Sequence, residues 1–420
     1  MICYTHLKLY MTKIGDFKIF ESALLLCFLL NALRFWNMPI LIAVLNGLLF
    51  LIFLLLTFNI GLKSSEFVER LRIISGILLI LVLLISMFSF YVGFRKEHPQ
   101  EVTLHDGMKQ TEFATEKFLH GENPYSITYE RVLVGNIFYP DGKPHPVLSH
   151  YVYSPMTFLV NAPFSILEKN ILGFVDMRIS LVFFWVLAAI IGSFMVYQKL
   201  LFWTVFLLNP LFLPLVLFGA NDSYALLFLV GALVLASKAR FELATVMVAL
   251  MGATKIIVLP FVPIYFIYLI LKYKKQGESG LKVLKNVGIF VLVSLLIYLP
   301  FAIWNFSDLT RDIIVYPFFG GEHGHPISGI GGLPQILSSM GFINGSSSFP
   351  FYLIQLLFSV FFLRFSFIRL RSSLYLKTLC ILFLCYFLLM IFFARVIQIN
   401  YLAILPQVLF LAGLIHEKKI

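Results

Sequence analysis

Twelve long apolar runs constrain this chain more than any other feature. They cover residues 17–34, 40–60, 73–93, 177–197, 200–218, 222–237, 241–254, 256–271, 286–303, 349–364, 375–394 and 397–415, with charged residues or Pro/Gly breaks between them. About 20 apolar residues are enough to cross a bilayer core of about 30 Å. Composition agrees. Of 420 residues, 60% are hydrophobic and 13% charged, where a soluble domain is usually about 45–50% apolar and about 25% charged. A further apolar stretch, 153–168, is short and holds Pro155 and Pro163. It reads as a helix lying at the interface. The expected fold is an all-α polytopic membrane protein, a single integral domain over residues 1–420 with about twelve transmembrane helices.

The charges orient these spans. With the N-terminus in the cytoplasm, the cytoplasmic connections hold 20 of the 32 Lys and Arg and 7 of the 21 acids, a balance of +13 (20 − 7). The other side holds the remaining 12 basic and 14 acidic residues, a balance of −2 (12 − 14). Every short cytoplasmic loop carries a Lys or Arg, as the positive-inside rule requires. Both termini are thus expected inside a plasma or inner membrane. The net charge of +11 is then a topology signal with anionic lipid as its partner, not a nucleic-acid footprint. Lys8, Lys13 and Lys18 precede the first run as in a signal peptide. No small-residue cleavage site follows, so this run reads as the first membrane helix. Cys3, Cys27, Cys380 and Cys385 all fall in or beside membrane or cytoplasmic segments, which argues against a disulfide framework or a CxxC metal site.

Two external segments are long, about 95–176 and 304–348, and they carry seven of the nine histidines. In the first, residues 108–120 form an amphipathic helical pattern with Gly121 as its stop. Asn123-Pro124-Tyr125 makes a rigid turn, and residues 127–153 alternate loosely around Asp141-Gly142 as in a hairpin.

Several polar residues stand out against this background. Asp106, in His105-Asp106-Gly107, is either the N-cap of the helix that follows or a carboxylate able to take a hydroxyl proton at the membrane mouth. Asn221-Asp222 occupies a turn too tight for a soluble loop. Asp222 there is an N-cap, a functional charge near the interface, or both. Lys255 sits on the outer side of its hairpin against the charge trend. Either it snorkels to headgroups or it holds a specific anion, a lipid phosphate being the natural one. Arg395 with Gln398, and Arg178, flank outer span ends. Each arginine suits a diphosphate or sugar, or is a plain interface residue. The second loop reads Gly320-Gly321-Glu322-His323-Gly324-His325. A Glu-His-x-His cluster can ligate a metal, but the loose spacing favours a Gly-rich loop closing on a ligand, with His323 and His325 as hydrogen-bond partners and no metal. The chain has no P-loop, no GxGxxG after a strand and no GxSxG elbow, which argues against ATP hydrolysis and dinucleotide chemistry.

The run HDGMKQTEFATEKFLHGENPY (105–125) resembles the first external loop of GT-C glycosyltransferases, and most closely that of glycosyltransferase family 87. YVYSPMTFLVNAPF (151–164) is similar to the family's Tyr-x-Tyr-Pro-Pro interfacial helix. NPLFLPLVLFGANDS (209–223) looks like its Asn-Pro … Gly-x-Asn-Asp element, and GATKIIVLPFVPIYF (252–266) like its Lys-x-x-x-x-Pro element. Two departures are Ser154-Pro155 for the tandem proline and Ala220-Asn221-Asp222 for a Gln-Asn-Asp-like tripeptide.

The resemblance implies a GT-C-like helical fold. It also implies a transferase that moves a sugar, a hexose such as mannose, from a polyprenyl phosphate to a hydroxyl of a glycan or glycolipid on the external or periplasmic face, with inversion. Asp106 would be the base. Lys255, Asn221, Asp222, Arg395, His105, Tyr125, Tyr153, His323 and His325 would bind substrate or lipid phosphate, with no cofactor. A transporter or lipid flippase is the alternative. Such proteins often show repeated halves and midplane charges; this sequence has no internal repeat and almost no mid-span charge. A non-catalytic scaffold would leave the Asp, Lys and His grouping unexplained.

Overall fold

A computed structural model describes residues 22–31, 40–57, 66–98, 104–133, 146–320 and 324–415. The 127–153 hairpin turn and His323 lie outside the described residues, as do residues 1–21. The described chain is almost wholly helical. In chain order the helices are α1 (Ser22–Asn31), α2 (Ile40–Thr57), α3 (Glu66–Glu97), α4 (Asp106–Leu119), α5 (Met156–Leu172) and α6 (Arg178–Gly192). Then come α7 (Lys199–Leu207), α8 (Phe212–Phe218), α9 (Asp222–Ser237), α10 (Phe241–Gly252), α11 (Phe261–Lys275) and α12 (Gly280–Thr310). The last are α13 (Tyr316–Phe318), α14 (Leu333–Ser339), α15 (Phe351–Ser372), α16 (Leu376–Phe392) and α17 (Ile399–Leu414). Two short strands, β1 (Ser328–Gly329) and β2 (Val396–Ile397), pair in parallel.

Each of the twelve apolar runs carries helix, but length qualifies only some as spans. Four segments are long and apolar enough to cross a membrane: Arg70–Glu97, Ile256–Lys275, Gly280–Phe318 and Phe351–Ser372. The α7–α8 pair, bent by 49°, makes a fifth if it is one span. The bend has a local cause. Asn209 Oδ1 accepts from the N–H groups of Leu211 and Phe212, capping α8 beside Pro210. The other apolar helical stretches, Ser22–Asn31, Ala43–Leu56, Arg178–Gly192, Asp222–Ser237, Phe241–Gly252, Leu376–Phe392 and Ile399–Leu414, have 10–17 residues. At 1.5 Å per residue these rise about 15–26 Å, short of a perpendicular crossing. Helix length therefore supports four or five spans among the described residues, and the expected count of twelve is not reached by this measure.

The chain divides into two compact units. The first holds Met1–Thr103 and Val196–Leu217. Within it α2 packs on α3, and Asn31 Nδ2 donates to the carbonyls of Cys27 and Leu208. The second holds Leu104–Met195 and Phe218–Ile420. Its centre is α9, buried nearly all round and packed between α10 and α6, as expected of a helix apolar on every face.

The amphipathic pattern at 108–120 is realised as α4, which begins at Asp106. Gly121 follows it at φ +79, the left-handed geometry that suits glycine at a helix end. The run at 286–303 does not end at residue 303. Asn305 breaks the helix (φ −160, ψ 98), and its Oδ1 accepts from Asp308 N–H at 3.1 Å, so helix resumes. A wider turn at Arg311–Val315 leads into α13. The segment expected as loop from 304 is thus helical as far as Phe318.

Candidate active site

The first turn of α4 brings His105, Asp106 and Gly107 against Tyr153. His105 N–H donates to the Phe218 carbonyl at 2.9 Å, which anchors the turn to the segment ahead of α9. The cap is His105, not Asp106: its Nδ1 accepts from Gly107 N–H at 3.0 Å. The same N–H reaches Asp106 Oδ1 at 2.7 Å. Asp106 is the first helical residue, where the helix dipole favours a negative charge, and its side chain is 50% exposed while that of His105 is 11% exposed. Gly107 is required for close approach. A methyl there would stand 1.9 Å from the Tyr153 hydroxyl oxygen. Burial, then the charge of Asp106, holds the Tyr153 phenol well above its usual range, so it stays a hydrogen-bond donor. Burial pulls the His105 imidazole below its usual range, and Lys255 adds to this while Asp106 and Asp222 oppose it.

Lys255 is buried rather than snorkelling. Its Nζ donates to Asp222 Oδ1 at 2.7 Å and to Asn221 Oδ1 at 3.0 Å. Asn400 Nδ2 donates to Asp222 Oδ2 at 3.0 Å, and the ammonium stands 5.4 Å from the Tyr401 ring centroid. Asp222 is therefore spent on Lys255, and the cap position of α9 is Asn221. The hairpin that carries Lys255 is tied to the start of α5. Met156 N–H donates to Ala253 O, and Thr157 Oγ1 donates to Thr254 O at 2.6 Å.

The second long loop closes through Arg395. Its Nε donates to His325 O at 3.1 Å, and β1 pairs with β2 just beyond it. Gly329 allows this pairing, because at φ +102 a side chain would meet the Ile397 carbonyl at 1.9 Å. Gln335 Nε2 bridges the strands, donating to Ser328 O and Arg395 O.

These three elements surround one cavity of about 390 Å³. His105, Asp106, Tyr153, Lys255, His325, Arg395 and Gln398 line it. Much of the rest of its wall is apolar, from α11, α15 and α16, including Pro263, Phe351, Met390 and Phe393. Asn221 and Asp222 stand behind Lys255. Tyr125 is not on the wall. It is fully buried in an aromatic core, and its hydroxyl donates to Tyr153 O at 2.9 Å. Arg178 is also away from the cavity, buried in a two-point pair with Asp176. Among the described residues no three His, Cys, Asp or Glu side chains group as metal ligands do.

Sequence reasoning missed Gln110, Tyr316, Gln355 and Tyr386 on the wall. It also missed a buried pair. His150 Nδ1 lies 2.6 Å from Asp312 Oδ1, and Asp312 Oδ2 accepts from Tyr151 N–H at 2.8 Å. Gln110 donates to His150 O and Val147 O. The pair thus fastens the chain leading to Tyr153 onto the wider turn at Arg311–Val315 that follows α12. Asp312 follows Arg311 and lies near Asp308, and nothing in that local sequence marks His150 as its partner.

A helical frame with span-length apolar helices holds a cavity that joins a carboxylate, an ammonium and a guanidinium to an apolar wall. The profile of glycosyltransferase family 87 matches residues 151–394, more than half of the chain, and the chain belongs to this family of GT-C type membrane glycosyltransferases. Tyr153, Asn221, Asp222, Lys255 and His325 lie inside the matched stretch. His105 and Asp106 precede it, and Arg395 is one residue beyond it. No curated protein and no solved structure matches the chain.

Proposed function

We propose that this glycosyltransferase moves a hexose such as mannose from a polyprenyl phosphate to an acceptor hydroxyl, with inversion, on the external or periplasmic face of a twelve-span membrane protein. The observation that carries the reading is the shared cavity: Asp106, Lys255 and Arg395 line it together with a long apolar wall. The apolar wall suits an isoprenoid chain. Lys255 and Arg395 suit a phosphate in a site of low dielectric, where fixed positive charge is worth more than in water. Asp222 belongs to the phosphate site indirectly, by holding the Lys255 ammonium in place.

In this reaction the acceptor oxygen attacks the anomeric carbon, and the bond from that carbon to the phosphate oxygen breaks. Its electron pair leaves with the polyprenyl phosphate, and the hydroxyl proton passes to Asp106. The leaving phosphate is stable without protonation, so one carboxylate suffices, unlike the two that glycosidases usually use. The test is incubation of the purified protein with a panel of polyprenyl-phosphate sugars while free lipid phosphate is followed. Release that depends on an acceptor supports the reading. Movement of intact lipid-linked sugar across proteoliposomes, with no release, would favour a flippase instead.

A further inference from the structure

We infer that His105 is the proton-accepting partner of Asp106, so that the base of this site is a two-residue unit with a prepared place for one proton. The inference rests on the proposed transfer reaction. Its ground is the geometry at the start of α4. His105 Nδ1 and Asp106 Oδ1 lie 3.0 Å apart. Both accept from a single donor, Gly107 N–H. An Nδ1 that accepts is unprotonated, so the proton of the neutral ring is on Nε2. Two lone pairs therefore face each other at hydrogen-bond distance and, among the described residues, share one N–H donor. A proton placed between them gains both. It also displaces nothing essential, because Gly107 N–H keeps its 2.7 Å bond to Asp106 Oδ1.

The surroundings suit this use. The titratable and charged groups about His105 are Asp106, Lys255, Asp222 and Tyr153, and Phe218 meets its ring edge-on at 5.6 Å. Burial and Lys255 keep the ring neutral at rest, hence free to accept. When the acceptor hydroxyl attacks, its proton goes to the Asp106 carboxyl and settles between Oδ1 and Nδ1. The result is an imidazolium beside a carboxylate. The sugar–phosphate electron pair departs with the phosphate, so charge and protons balance. A purely structural His105 would do no more than cap α4.

His105→Asn separates the two roles. Asn is a good helix cap, and its Oδ1 can accept from Gly107 N–H as Nδ1 does, but it cannot take up the proton. With the full chain in nanodiscs and polyprenyl-phosphate mannose as probe, His105→Asn is expected to lower kcat at least ~10-fold with KM nearly unchanged. The acid limb of kcat/KM should move to lower pH, as for a lone carboxylate. A wild-type kcat and acid limb in His105→Asn, with Asp106→Asn inactive, would overturn the role of His105 and leave the transferase reading intact. Full activity in Asp106→Asn would sink both. A second readout needs no substrate. In ¹⁵N-histidine spectra, Asp106→Asn is expected to lower the pH at which His105 titrates, because the carboxylate no longer stabilises the imidazolium. An unchanged titration would contradict the pairing.

Discussion

Lys255 Nζ lies 2.7 Å from Asp222 Oδ1, a buried ion pair between two turns that are 33 residues apart in the chain. Removing one partner of such a pair leaves an uncompensated buried charge, at a cost of about 3–5 kcal/mol, whereas an apolar replacement of both is often tolerated. Lys255→Met and Asp222→Leu are each expected to lower the apparent Tm in detergent sharply. The double variant should recover most of the loss while remaining inactive. Simple addition of the two losses would show that the residues do not act as a pair.

Gly107 lets Tyr153 reach the first turn of α4. A methyl there overlaps the phenol oxygen at 1.9 Å, and overpacking of this kind costs about 1–3 kcal/mol. Gly107→Ala should fold, with modest loss of thermal stability, and lose transfer activity by ~10-fold or more, since small displacements at a reacting centre are expensive. Wild-type turnover in Gly107→Ala would show that the contact has no bearing on the reaction.

Arg395 joins the cavity to the second long loop through His325 O. Lysine keeps the charge but not the planar fork. Arg395→Lys is expected to raise the donor KM about tenfold, equivalent to ~1.4 kcal/mol, with a smaller effect on kcat. A change in kcat alone would argue that Arg395 does not hold the donor.

Burial holds His105 below its ordinary value of 6.5. As pH falls through that value the unfolded chain takes up the proton before the folded one does, so stability declines on acidification. The decline continues until the folded-state imidazole itself protonates. The apparent Tm of wild type should therefore drop below about pH 6.5, and His105→Asn should flatten part of that drop. Identical pH profiles would show that His105 titrates alike in both states.

What the sequence revealed followed from contrast. Lys255 and Asp222 stood out because a charge in an apolar run is costly, and they are each other's partner. Arg395 stood out by the same logic. Arg178 did too, but its partner Asp176 is only two residues away and holds it in a two-point pair. Local sequence left Asp106 open between a cap and a base, and the resemblance favoured the base. The cap place is taken by His105, and the carboxylate is left half exposed. His150 and Asp312, 162 residues apart, were invisible because nothing local marks a long-range pair. Tyr386 and Gln355 are ordinary residues of apolar helices, and only packing turns them toward the cavity. Helix length supports fewer spans than the apolar runs suggest for a related reason. Apolar runs show where helix forms, but bends such as that at Asn209-Pro210 decide how long each helix is.

The most direct test of Asp106 as the base is the turnover of Asp106→Asn. The substitution keeps the shape of the side chain, and the cap on His105 does not depend on the carboxylate. The account predicts a protein with wild-type thermal stability and retained lipid binding whose release of polyprenyl phosphate falls at least ~100-fold. Release at the wild-type rate by the folded variant would contradict it.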